Sequence, residues 1–266
     1  MKKLGKIYLA LVILFLYVPI FVLIVFSFNE SKSRSVFSGF TLDWYKRLFE
    51  NDIIISSLIN TLIIAVAASI VSTILGTLAA IGINSMKKVP KTVVMNITNM
   101  PIINPEIVTG VSLMLLFVFF AARMNLEFGF VTLLIAHITF DVPYVILNVM
   151  PKFRQMDPHL YEAAQDLGCS PFKAFTKVIL PEIMPGVVSG FLMAFTYSLD
   201  DFVISYFTSG STSQTLPITI YSMTRRKVSP EINALSTIIF AVVVIILIVK
   251  NIIENKQFRQ SRKKEA

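Results

Sequence analysis

Charge is scarce in this sequence, and so are the side chains from which most enzyme active sites are built. Only 15% of the 266 residues are charged and 55% are hydrophobic, whereas about 25% charged residues is usual for a soluble domain. The single cysteine, Cys169, excludes an intrachain disulfide and any cysteine metal cluster, and reads as a small residue in a turn. The two histidines, His137 and His159, have no partners at metal-ligand spacing, so no metal site is expected. No G-x-x-x-x-G-K-[ST] run occurs, which excludes nucleotide binding by a P-loop, and no cofactor is expected in this chain. Basic residues exceed acidic ones, 24 to 16, but they are scattered at the ends of apolar runs. A nucleic-acid partner is therefore not expected.

What the sequence has instead is long uncharged runs. Ile7 to Phe28 contains 22 residues without a charge, enough to cross a hydrocarbon core of about 30 Å. Lys2, Lys3 and Lys6 ahead of it resemble the basic start of a signal peptide, but the run is too long and no small-x-small site follows. It reads as a retained first span. Five more are expected at Ile53–Asn84, Val93–Ala122, Phe128–Met150, Val187–Tyr206 and Ala234–Val249. The fold class is thus an all-α integral membrane protein with six transmembrane helices in a single domain, 1–266. With both ends on one side, the presumed inner segments hold 16 of the 24 basic residues. That bias puts both termini, and the loop 151–186, in the cytoplasm.

This loop is the longest polar interruption, DPHLYEAAQDLGCSPFKAFTKVILPEIMPG from Asp157 to Gly186. Asp157-Pro158 predicts a helix start, and Gly168 its stop. Ser170-Pro171 predicts a second short helix, constrained at its far end by Pro181 and Pro185. Glu162-Ala163-Ala164, Gly168 and Val178-Ile179-Leu180-Pro181 together resemble the EAA signature of ABC-importer permeases, with Val178 where isoleucine is more usual. The resemblance implies a type I permease architecture, with a cytoplasmic coupling helix docking on a separate ATP-binding subunit. Glu162, Ala163, Ala164, Gly168, Leu180 and Pro181 are the expected coupling residues. ATP and magnesium would be bound by that partner.

Several polar residues interrupt the spans. Met100 to Glu106 places Pro101, Pro105 and Glu106 within the third span. Freed carbonyls at that depth are tolerated only when buried in protein or facing a wet cavity, and a carboxylate there costs roughly 2.5–3.5 kcal/mol on insertion scales. Glu106 is therefore a functional candidate, the alternative being an interfacial acid. His137 and Asp141, at i and i+4 in the fourth span, can hydrogen-bond each other, most simply as a satisfied pair. In the fifth span Gly186 and Gly190 form a GxxxG face for close helix packing. It ends in Asp200-Asp201, two adjacent acids that repel each other unless a cation is near. Tyr197 adds a π face suited to ammonium; the alternative is a solvated helix end. In the outer segment TLDWYKRLF, Leu42, Tyr45, Leu48 and Phe49 share a helical face. Trp44 suits a membrane interface, with substrate contact as its second reading. Leu216 to Tyr221 suits a short surface or re-entrant helix.

SLDDFVISYFTSG at Ser198–Gly210, LPITIYSM at Leu216–Met223 and SPEINALSTI at Ser229–Ile238 resemble the spermidine/putrescine branch of these permeases. That resemblance implies two ATP-binding subunits, a second homologous permease, an extracytoplasmic binding protein and a polyamine cargo, in the cytoplasmic (inner) membrane. The expected substrate pathway is Glu106, Asp200, Asp201, Tyr197 and Trp44, and the chain itself is expected to carry no catalytic residue. Two alternatives are an ABC permease for another substrate (iron complex, thiamine, phosphonate or sugar) and an ion-coupled secondary transporter. The second leaves the EAA spacing without a reason.

Overall fold

A computed structural model describes residues 2–31, 36–124, 127–226, 230–241 and 244–245. The described residues are almost entirely helical, apart from one antiparallel bridge between Asn29 and Phe40. Among them, five helical stretches are long and apolar enough to cross a membrane: Gly5–Ser27, Asp52–Asn84, Glu106–Arg123, Phe130–Gln155 and Pro171–Asp200. The sixth expected span, Ala234–Val249, lies partly outside the described residues, and so does the basic tail that follows it.

By its internal packing the chain divides into two compact units: Met1–Ile55 with Ile220–Ala266, and Ser56–Thr219. In the first unit, helix α1 (Lys2–Ser27) leads to a short loop and helix α2 (Asp43–Glu50). The loop is organised around buried Asn29. Its side chain donates to the Val36 carbonyl (2.8 Å) and accepts the Ser38 N–H (2.9 Å), while its own carbonyl accepts the Trp44 indole N–H (2.7 Å). Phe28 stacks on Phe40 with ring centroids 5.3 Å apart. Helix α2 buries Trp44 and Leu48, whereas Leu42 and Phe49 are exposed. The buried face is therefore turned from the one expected, because Trp44 is drawn inward by its bond to Asn29.

The second unit holds most of α3 (Asp52–Asn84), then α4 (Lys88–Ile103), α5 (Glu106–Met124), α6 (Phe130–Gln155), α7 (Leu160–Asp166), α8 (Pro171–Ala174), α9 (Leu180–Asp200) and α10 (Val203–Thr208). Helix α11 (Leu216–Arg226) starts at its edge, where the Leu216 N–H donates to the Thr61 hydroxyl (2.7 Å). Its core is the antiparallel pair α6 and α9. Glycine makes that approach possible: a Cβ on Gly186 would lie 2.8 Å from the Asn148 carbonyl oxygen, and one on Gly190 would lie 3.1 Å from the Val145 Cα. Gly76 of α3 meets the Val145 side chain in the same way. Ala80, Val145, Val149, Met150, Ile183 and Ala194 fill the resulting core.

Three features depart from the expected spans, two of them breaks. The run expected at Val93–Ala122 is two helices, because Pro105 follows Asn104 in extended conformation and α4 ends there. The run expected at Val187–Tyr206 ends at Asp200, with Asp201 extended before α10. The loop 151–186 is largely helical: α6 runs on to Gln155, and one helical stretch extends from Pro171 to Asp200. Pro181 and Pro185 do not end that stretch. A π-helical turn, Phe175–Ile179, precedes Pro181, and such a turn absorbs the carbonyl that proline leaves without a donor.

Candidate functional site

The two breaks in the second unit converge on one cleft. At the first, Pro105 sets the chain so that Glu106 opens α5, where the unpaired N–H groups of the helix end favour a carboxylate. At the second, α9 stops at Asp200 and α10 restarts two residues later. Helices α5 and α10 pack at Gly110, which lies against Phe207 and Ile204. Between these elements and α6 is a cleft of about 170 Å³. Glu106, Asp200, Asp201 and Tyr197 all line it, together with Phe140 and Tyr144 of α6.

The three carboxylates differ in what they touch. Asp201 accepts the Ile204 N–H (3.2 Å) on one oxygen and the Ser205 N–H (2.7 Å) on the other, so it caps the start of α10. Its Oδ2 is also 3.6 Å from His137 Nε2. Glu106 and Asp200 have no hydrogen-bond or ion-pair partner among the described residues, and both are exposed to the cleft or its mouth. The Tyr144 and Tyr197 rings stack beside them, 4.3 Å between centroids and 30° from parallel. This arrangement offers negative charge and π faces to a cation, with no basic side chain among the described residues that line the cleft.

His137 and Asp141 do not form the expected pair. The imidazole is held instead between Ser198 of α9 and Ser205 of α10 (2.9 Å to the latter), spanning the helix break. Both Asp141 oxygens are buried without a hydrogen-bond partner among the described residues. Trp44 is not among the lining residues; it belongs to the other unit, buried and with its N–H committed to Asn29. Tyr144 was missed in the sequence: Asp141 precedes it by three residues and Asn148 follows by four, but neither spacing places its ring against Tyr197 of α9.

The second candidate region is the turn around α7. Leu160–Asp166 is closed by a Schellman turn, with the Cys169 N–H on the Ala164 carbonyl (3.1 Å) and the Gly168 N–H on that of Gln165 (2.8 Å). Gly168 has φ +85°, which explains glycine there. Asp157 acts three residues before the helix, its side chain accepting the His159 N–H (2.9 Å). Glu162 and Ala163 are exposed, Ala164 is buried, Leu180 is half-buried and Pro181 is exposed. Leu167 and Phe172, 88% and 76% exposed, are apolar residues that the motif does not mark. Among the described residues no group of three metal-ligating side chains occurs.

Residues 72–259 match the family described as the binding-protein-dependent transport system inner membrane component. The chain is 38% identical over 242 residues to the spermidine/putrescine transport system permease protein PotC of Haemophilus influenzae, covering 91% of this chain and 93% of that one. It is 40% identical over 236 residues to the putrescine transport system permease protein PotI of Escherichia coli, covering 87% and 84%. In fold it is similar to a chain of a bacterial ABC transporter involved in the import of alginate (TM-score 0.69, 14% identity, covering 96% and 95%). It is similar also to a chain of an amino acid ABC transporter (TM-score 0.52, 22% identity, covering 78% and 96%). These matches make the chain a multi-pass permease subunit without catalytic chemistry of its own. It belongs to the family of inner-membrane components of binding-protein-dependent, ABC-type transport systems.

Proposed function

We propose that this permease translocates polyamines of the spermidine/putrescine class, and that the Glu106–Asp200 cleft is a station on their route. The observation that carries this reading is that Glu106 and Asp200 line one cleft and neither makes a hydrogen bond or ion pair among the described residues. A linear polyamine presents ammonium groups separated by short methylene chains. Carboxylates bind the ammonium groups, and the stacked Tyr144–Tyr197 faces suit both the charge and the methylenes. Contacts of this kind are few enough to let the cargo leave again, as conduction requires. The names of the relatives support the same cargo class.

In this reading both termini are cytoplasmic, and the chain pairs with a second homologous permease above two ATP-binding subunits. Closure of those subunits moves α7, with Glu162, Ala163, Ala164, Gly168, Leu180 and Pro181 around it, and rocks the bundle between outward and inward access. An extracytoplasmic binding protein delivers the cargo. The chain binds no cofactor, and ATP with magnesium is held by the partner subunits. The test is uptake of labelled putrescine and spermidine by the complete transporter in proteoliposomes. Glu106→Gln and Asp200→Asn are each expected to lower uptake about tenfold, the equivalent of ~1.4 kcal/mol, while the complex still assembles. Wild-type uptake by both variants would remove the cleft from the route.

A further inference from the structure

Asp141 is the most anomalous side chain in the second unit. It is 0% exposed, and neither carboxylate oxygen meets a hydrogen-bond donor among the described residues. Buried polar groups are almost always satisfied, so an orphaned carboxyl marks a place where something else supplies the partner. The surrounding geometry says why the protein does not. Along the α6–α9 pair, Gly186 meets Asn148 and Val149, Gly190 meets Val145, and Ser198 meets His137. The same antiparallel register brings Ala194, itself fully buried, opposite Asp141. An alanine methyl has nothing to donate.

Asp141 is nevertheless one side-chain layer from the cleft. Its helix neighbours Phe140 and Tyr144 line that cleft, and His137, one turn away on the same face, lies 3.6 Å from Asp201 at the cleft wall. The wall between them is the α9–α10 break, where the His137 ring is held by Ser198 on one side and Ser205 on the other. This is the joint of the unit: α9 has ended, and α10 is a short helix capped by Asp201.

We propose that Asp141 is an inner receiving site for a primary ammonium group of the cargo, taken up from the Glu106–Asp200 cleft when the α9–α10 joint moves. The inference rests on the polyamine reading given above. An –NH₃⁺ group supplies three donors and a positive charge, which is what the two orphaned oxygens lack.

The test uses the complete transporter in proteoliposomes, reading labelled putrescine taken up per ATP hydrolysed. Asp141→Asn keeps the shape and removes the charge; Asp141→Glu keeps the charge and strains the packing. The expected result is a loss of at least tenfold in Asp141→Asn, with Asp141→Glu retaining more activity than Asp141→Asn. A residue that only packs would give the opposite order, and that order, or wild-type transport by Asp141→Asn, overturns the proposal. Where the variants do not assemble, the wild-type complex is treated with dicyclohexylcarbodiimide during turnover, and Asp141 modification is followed by mass spectrometry. Polyamine is expected to cut that modification at least twofold, and modification unaffected by polyamine overturns the proposal. A wild-type transporter that moves no polyamine would remove the cargo reading and this inference together. Polyamine transport with the Asp141 tests failing would remove this inference alone.

Discussion

Asp200 and Asp201 are adjacent and chemically identical, and the structure assigns them different work, so exchanging each for alanine should give different phenotypes. Asp201→Ala deletes two acceptors, for the Ile204 and Ser205 N–H groups at 3.2 and 2.7 Å, from the start of the six-residue helix α10. Loss of an N-cap costs about 0.5–2 kcal/mol, and bonds to a charged acceptor lie at the upper end of the usual range. About 2 kcal/mol is therefore expected. At roughly 2–4 °C per kcal/mol for a chain of this size, the midpoint of thermal unfolding should fall by about 4–8 °C. Asp200→Ala deletes no bond among the described residues and should stay within about 0.5 kcal/mol of wild type, while uptake falls. The assay is thermal unfolding of the purified complex beside uptake in proteoliposomes. Equal midpoint shifts, or a larger one for Asp200→Ala, would refute the division of roles.

Two more perturbations and one control follow from the geometry. Gly186→Val places a Cβ 2.8 Å from the Asn148 carbonyl oxygen and 3.2 Å from the Val149 Cα; overpacking should cost about 1–3 kcal/mol, read as a lower unfolding midpoint. Gly82→Ala, with nothing within 4 Å of its Cβ, is the control and should not destabilise. Gly168→Val forces a β-branched residue to φ +85°, costing about 1–2 kcal/mol, and should lower uptake per ATP hydrolysed; unchanged coupling would separate α7 from the ATP-binding subunits.

What the sequence made legible was chemistry placed where it is conspicuous. Proline beside a carboxylate at Glu106, paired acids at Asp200-Asp201 and glycine at Gly168 each violate the apolar or helical pattern around them. Each proves to mark a break, a cap or a turn. Tertiary geometry was not legible. His137 and Asp141 have the spacing of a bonded pair, yet the serines of α9 and α10 reach the imidazole first. Pro181 looks like a helix stop, yet a π-helical turn ahead of it lets the helix run on to Asp200. Trp44 suits a membrane interface by its type, but nothing in its spacing tells that its N–H is held by the Asn29 carbonyl. Tyr144 lies three residues after Asp141, but its place beside Tyr197 is set by the α6–α9 packing and not by that spacing.

The central claim is that this permease works for a polyamine-delivering system. Its most direct test is ATP hydrolysis by the reconstituted complex, with the binding protein empty or loaded with spermidine or putrescine. The account predicts stimulation by a polyamine-loaded form over the empty one. A complex that ignores polyamine-loaded binding protein but responds to one carrying another ligand would contradict it.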